Sequence, residues 1–242
     1  MKKQQLNEYL KEVKQKLASM PGIKIGNHYN SPTPTLGLTV PQSRAVLKKG
    51  YSFLKLDRLS ILQVFDHIWN HAVYFEEMCQ AVYFYEKKSL ILQEFTTIAD
   101  WIERCDNWAH SDCLSSIYAR ALEENPKLVW PVLKSWNSSP NPWKRRQSVV
   151  SMLYYSRLRK NWLPFKQMIE MVKSLLNDED YYVQKGLGWA IREIYNLFPV
   201  ETFDFIKANV KRISPAAWQA STEKLKQSVK AELMGMRKAH EG

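Results

Sequence analysis

Glycine is scarce in this sequence: 8 of 242 residues, about 3% against a usual share of roughly 7%. Tight turns, bulges and phosphate-cradling loops draw on its freedom at positive φ, so the shortage argues against β-barrels and nucleotide-binding folds. Neither GxGxxG nor GxxxxGK[ST] occurs. Cysteine is limited to Cys79, Cys105 and Cys113, an odd number without a CxxC pair. That excludes a disulfide framework or zinc knuckle and fits a reducing cytosol. No apolar run reaches about 18 residues, so no membrane span is expected. The N-terminal MKKQQLNEYLKEVKQKL is charged throughout and lacks an apolar signal core. A soluble, cytoplasmic protein is the expectation.

What is present is ordinary in bulk and biased in charge. Apolar residues make up 45% and charged residues 24%, which places the chain among globular proteins. Aromatics reach 12%, with 9 tryptophans. The 35 Lys and Arg against 24 Asp and Glu leave a net charge of +11. An excess that large points to a polyanionic partner, of which nucleic acid is the usual one.

Nearly every segment has helical period. In 3–19, Leu6, Tyr9, Leu10, Val13 and Leu17 share one face. Residues 20–40, with three prolines and three glycines, form the one long irregular stretch. Helices are predicted at 41–49, 56–70, 72–88, 90–104, 107–124, 127–137, 141–160, 163–177, 180–197, 199–212 and 214–234. No run alternates with period two over a strand length. Asn107, Asn141 and Asp180 stand where N-caps are needed, and Pro142 sits where a missing N–H is harmless. These caps recur at intervals of 34 and 39 residues, with a second helix between them. The fold expected is all-α, a HEAT-like α-solenoid of stacked antiparallel helix pairs forming one curved domain over 1–242. Five residues past each cap stand Asp112, Arg146 and Lys185, which such a solenoid would line along its concave face.

Three constellations can carry chemistry. Trp108 and Asp112, at i and i+4, share a helix face that continues over the small residues Ser115 or Ser116 and Ala119. That is either a ligand space with an aromatic wall and a carboxylate, or an exposed acid beside a partly packed ring. On 181–194, Val183, Leu187, Ala190, Ile191 and Ile194 form an apolar side, whereas Lys185, Trp189 and Arg192 fall on the other. A tryptophan on a basic face suits a sugar–phosphate surface. Gly186 and Gly188 in the same helix imply a close approach, by a neighbouring helix or a ligand. Lys144, Arg145 and Arg146 lie in the first turns of their helix, against the macrodipole, where an anion would dock. Arg146 could equally pair with an internal carboxylate. His67 and His71, at i and i+4, lack the glutamate of HExxH and a third ligand, so no metal site is expected. Cys113 points away from the Trp108 strip, and His110 does not share a face with Asp112.

Taken in order, LGLTVPQSR (36–44), the helix pair around 57–88, NWAHSD (107–112), PWKRRQSVV (142–150) and VQKGLGWAIRE (183–193) resemble the bacterial DNA alkylation repair family. These AlkD-like proteins are HEAT-repeat DNA glycosylases. The resemblance implies excision of cationic N3- and N7-alkylpurines from double-stranded DNA, by N-glycosidic bond cleavage without metal or cofactor, and a monomer is expected. It matches Asp112 to the catalytic aspartate and Trp108 and Trp189 to the lesion-flanking tryptophans. Arg146 matches the arginine beside the lesion. Tyr29 stands nearest the family's tyrosine, one residue out of register, and SPTPT (31–35) replaces a more apolar stretch. Lys144, Arg145, Lys185 and Arg192 would hold phosphates around the lesion. The alternatives are a catalytically inactive binder of damaged or branched DNA and a protein–protein scaffold.

Overall fold

In the computed structural model, residues 1–23 and 31–238 are described. Among them all regular structure is helical, and no strand occurs. The chain groups into two compact units, Met1–Ile117 and Tyr118–Gly242.

The first unit holds α1 (Lys3–Ala18), α2 (Val40–Lys49), α3 (Arg58–His71), α4 (Phe75–Tyr85), α5 (Leu92–Asp100) and the start of α6 (Trp108–Glu124). Besides sequential neighbours, α1 packs on α3, α2 on α4 and α3 on α5. Alternate helices stacking in this way is the pattern of a helical solenoid. Its core is aromatic. Trp69 and Trp101 stack at 5.1 Å, each nearly sealed from water. Each indole N–H is satisfied, by the Trp101 carbonyl and by Asp66 Oδ1, both at 2.9 Å. Burial of such a side chain is worth roughly 4–6 kcal/mol as an upper bound.

The irregular stretch is fastened by carboxylates. Buried Glu76 on α4 accepts the amides of Leu36 (2.8 Å) and Leu38 (3.0 Å). The Phe75 amide donates to the Pro34 carbonyl. Between them Gly37, at φ 73°, receives the Ile23 amide so closely that a Cβ would lie 1.9 Å from the Ile23 oxygen. Only glycine fits there. Thr39 and Gln42 then form a reciprocal capping box that starts α2.

The second unit holds the rest of α6, α7 (Pro126–Trp136), α8 (Pro142–Val150), α9 (Phe165–Ser174), α10 (Tyr181–Leu197), α11 (Pro199–Ala208), α12 (Pro215–Ser221) and α13 (Gln227–Lys238). Again α8 stacks on α10 and α10 on α12. The expected caps are in place. Asn107 accepts the His110 amide (2.8 Å), Asn141 that of Trp143 (2.9 Å), and Asp180 those of Tyr182 and Val183 (2.8 and 2.9 Å).

Several helices are shorter than their periodicity suggests, and two depart furthest. The one expected over 141–160 ends at Val150: the Met152 and Leu153 amides turn to carbonyls three residues back, and the Ser156 amide bonds Glu193 Oε2 (2.8 Å) rather than a helical carbonyl. Tyr155 just before it is left-handed, φ 51°. The helix expected over 214–234 divides into α12 and α13. Ser221 and Thr222 hydroxyls both bond the Trp218 carbonyl there, at 3.0 and 2.9 Å, back-bonding that competes with helix propagation.

The two α10 glycines have distinct neighbours. A Cβ on Gly186 would meet the Arg146 side chain at 2.9 Å, and one on Gly188 the Ala217 carbonyl oxygen of α12 at 2.3 Å. The close approach expected from sequence is therefore that of neighbouring helices. Backbone cannot move aside as a side chain can, so Gly188→Ala should destabilise the protein by about 1–3 kcal/mol. Gly235→Ala in α13, with open space around it, should stabilise by about 0.4–1 kcal/mol. Urea melts of both variants check this pair of opposite signs.

Candidate active site

In the first unit the site residues stand on the opening turns of α6, and their footing is a polar cluster. The Asp106 carboxylate accepts the hydroxyls of Ser31 (2.9 Å) and Thr33 (2.6 Å) and the Asn107 side-chain amide (2.7 Å). Burial works to raise its pKa, but the hydrogen bonds of Thr33, Asn107 and Ser31 outweigh it and hold the carboxyl below its usual range. Segment 31–35 is thus tied to the start of α6. Tyr29 lies outside the described residues.

His110 is fully buried and stacks on Phe75 at 4.2 Å. Its Nδ1 lies 3.1 Å from Asn107 Nδ2, a donor, and its Nε2 lies 3.4 Å from the Phe75 carbonyl, an acceptor. Those partners assign a neutral ring protonated on Nε2. Burial pushes its pKa down to about 4.

Trp108 is half-buried and packs on Phe75, Cys79 and Ala109, with Tyr83 on the same cluster. Asp112, one turn on, is also half-buried. The Cys113 thiol is half-buried as well and hydrogen bonded to that of buried Cys79, whose pKa burial raises. His67 and His71 stack at 4.1 Å, His67 bonding Asn7 and His71 the His67 carbonyl. Among the described residues no three metal-ligating side chains gather.

In the second unit the cations divide by their partners. Arg145 forms a two-armed ion pair with Asp178 (2.6 and 3.2 Å) and donates to the carbonyls of Ser139 and Pro140. The Asp178 bond raises its pKa. Arg146 is 4% exposed, and its Nη1 donates to the Tyr182 carbonyl at 2.8 Å. Arg192 bridges Glu193 and Glu223 (2.7 Å to the latter) and lies 5.3 Å over the Trp189 ring. Lys144 and Lys185 are half-buried, the latter 5.9 Å from the Tyr181 ring.

Trp189 is half-buried. Tyr154 and Tyr155 pack on it at 5.2 and 5.4 Å, and its N–H bonds Glu193 Oε1. The structure thus brings Trp189 and Arg192 together on α10, and sets Arg146 against Gly186 one turn from Trp189.

The family model for DNA alkylation repair enzymes matches residues 3–225. The chain belongs to that family. Solved structures with the same fold include AlkD2 from Streptococcus mutans, at 16% identity and TM-score 0.60 over 91% of this chain and 99% of that one. The smu.31 protein of Streptococcus mutans UA159 aligns at 18% identity and TM-score 0.58, over 93% and 98%. A predicted DNA alkylation repair enzyme from Enterococcus faecalis reaches TM-score 0.66 at 16% identity, over 80% and 89%. No curated protein matches the sequence.

Sequence reasoning on this family member missed Asp106, Tyr154, Tyr155 and Glu193. For Glu193 a signal existed, since it stands four residues after Trp189 in a segment already singled out. For Tyr155 none did, because the Ser156 amide that follows it is held by Glu193, 37 residues on.

The buried imidazole has a consequence in acid. The unfolded chain takes up a proton near the ordinary pKa of 6.5, the folded one only near 4. The contribution is complete above pH 6.5 and is lost as pH falls through that window, by up to about 1.4 kcal/mol per pH unit. Urea midpoints of wild type should drop between pH 6.5 and 4, and those of His110→Gln should drop less. Equal slopes would remove His110 as the source.

Proposed function

We propose that the protein is a monofunctional DNA glycosylase that releases N3- and N7-alkylated purines from double-stranded DNA. The observation that carries this reading is a carboxylate and an indole, Asp112 and Trp108, half-buried one turn apart on α6, in a chain of the DNA alkylation repair enzyme family.

A cationic alkylpurine is already an activated leaving group, so its departure needs no strong general acid. Positive charge then develops on the deoxyribose. A carboxylate beside that carbon stabilises the charge and orients the attacking water, which makes Asp112 the catalytic residue. Indole faces favour the same cation, a role for Trp108 and Trp189. Lys144 and Lys185 meet the phosphates, together with Arg145, Arg146 and Arg192 to the extent that their internal pairs open. The protein works as a monomer on this reading, and its three free thiols fit a reducing cytoplasm.

Base release from methylated duplex DNA, measured at single turnover, tests this. Asp112→Asn should lower the rate by about 10²–10³-fold or more, as loss of transition-state electrostatics does, with duplex affinity little changed. Should wild type bind duplex DNA with steep salt dependence yet release no base, the protein is a DNA binder and not a glycosylase.

A further inference from the structure

Glu193, one turn beyond Trp189 on α10, is 6% exposed and gathers donors from two directions. Its Oε1 accepts the Trp189 indole N–H at 3.2 Å and the Arg192 Nε and Nη2 at 3.3 and 3.2 Å. Its Oε2 accepts the Ser156 amide (2.8 Å), the Ser156 hydroxyl (2.6 Å) and the Asn196 side chain (3.4 Å). One oxygen thus faces the indole and the other faces the corner that follows α8.

That corner is under backbone strain. Tyr155, at φ 51°, is the one non-glycine residue at positive φ among the described residues. An aromatic side chain seldom adopts that conformation, and it persists only where the surroundings over-determine it. Here the surroundings are Glu193 on Ser156 and the packing of Tyr154 and Tyr155 on Trp189 at 5.2 and 5.4 Å. Beside the corner opens a recess of about 330 Å³ to which Tyr155, Arg157, Arg192 and Lys224 contribute.

We propose that Glu193 is a positioning residue for Trp189. Through Oε1 it sets the rotation of the indole, and through Oε2 it holds the strained corner whose two tyrosines wall the ring in. The functional part of this rests on the reading of Trp189 as a lesion-flanking residue. Gln cannot replace Glu193, because one of its two polar atoms is a donor and must oppose either the indole and Arg192 or the Ser156 pair.

Two measurements on the intact chain test the proposal. In proton–nitrogen spectra the indole N–H of Trp189, assigned by its loss in Trp189→Phe, should exchange with water more slowly in wild type than that of exposed Trp162. Glu193→Ala should shift it and speed its exchange. Exchange as fast as that of Trp162 in wild type overturns the proposal whatever the variant does, and so does a signal unmoved in Glu193→Ala.

The second measurement is a cycle of Trp189→Ala, Glu193→Ala and the double variant, each checked for a cooperative thermal transition. Glu193→Ala should slow base release about 10- to 100-fold, as misplacement of a site group does, and should add little once Trp189 is gone. Losses that multiply would make Glu193 merely structural. If wild type releases no base, the glycosylase reading fails by itself. The cycle is then read as duplex-DNA affinity, and the exchange measurement still decides the positioning role.

Discussion

A carboxylate buried among helices is poorly supplied with donors, because helices consume their own backbone N–H groups. The donors that remain belong to helix starts, to side chains and to chain that is not helical. Buried or half-buried acids and irregular segments therefore find each other in this protein. Glu76 holds the amides of Leu36 and Leu38, Asp106 holds the hydroxyls of Ser31 and Thr33, and Glu193 holds Ser156. Each interaction spans more than thirty residues of sequence. The solenoid pattern of alternate helices in contact needs only apolar faces, but three of the places where the chain leaves that pattern are held by these acids.

The same economy governs the candidate site residues of each unit. Trp108 and Asp112 project from the turn of α6 that Asn107 caps, and Asp106 beside it fastens segment 31–35. Trp189 projects from the turn of α10 that Glu193 closes. Each tryptophan proposed to meet the lesion therefore stands beside an acid that also anchors distant chain. Fixed side chains of this kind suit catalysis by electrostatic placement, which depends on groups that need not reorganise as charge develops.

Much of this was legible where the physics is local. N-caps at Asn107, Asn141 and Asp180 follow from side-chain oxygens that answer amides two or three residues on. The apolar side of α10 follows from helical period, and all five residues assigned to it are buried. Gly186 and Gly188 announced close packing and met α8 and α12. What was not legible depends on partners distant in sequence. The cluster 144–146 offered an anion site, with an internal pairing of Arg146 compatible with it, and the internal partners are Asp178 for Arg145 and a carbonyl of α10 for Arg146. Periodicity carried the helix of 141–160 past Val150, because nothing nearby reveals that Ser156 belongs to Glu193. The pairing of Trp108 with Asp112 on one half-buried face was legible. Their chemical roles were reached only through resemblance.

The ion pairs of Arg145 with Asp178 and of Arg192 with Glu223 bear on how the protein would exchange ions with a polyelectrolyte. Cations condensed on a duplex are displaced by protein charges that arrive uncompensated. A guanidinium already shared with a carboxylate displaces none until that pair is broken, and breaking it leaves the acid facing the phosphates. The thermodynamic valence of any complex with a duplex would therefore be smaller than the count of 35 Lys and Arg suggests.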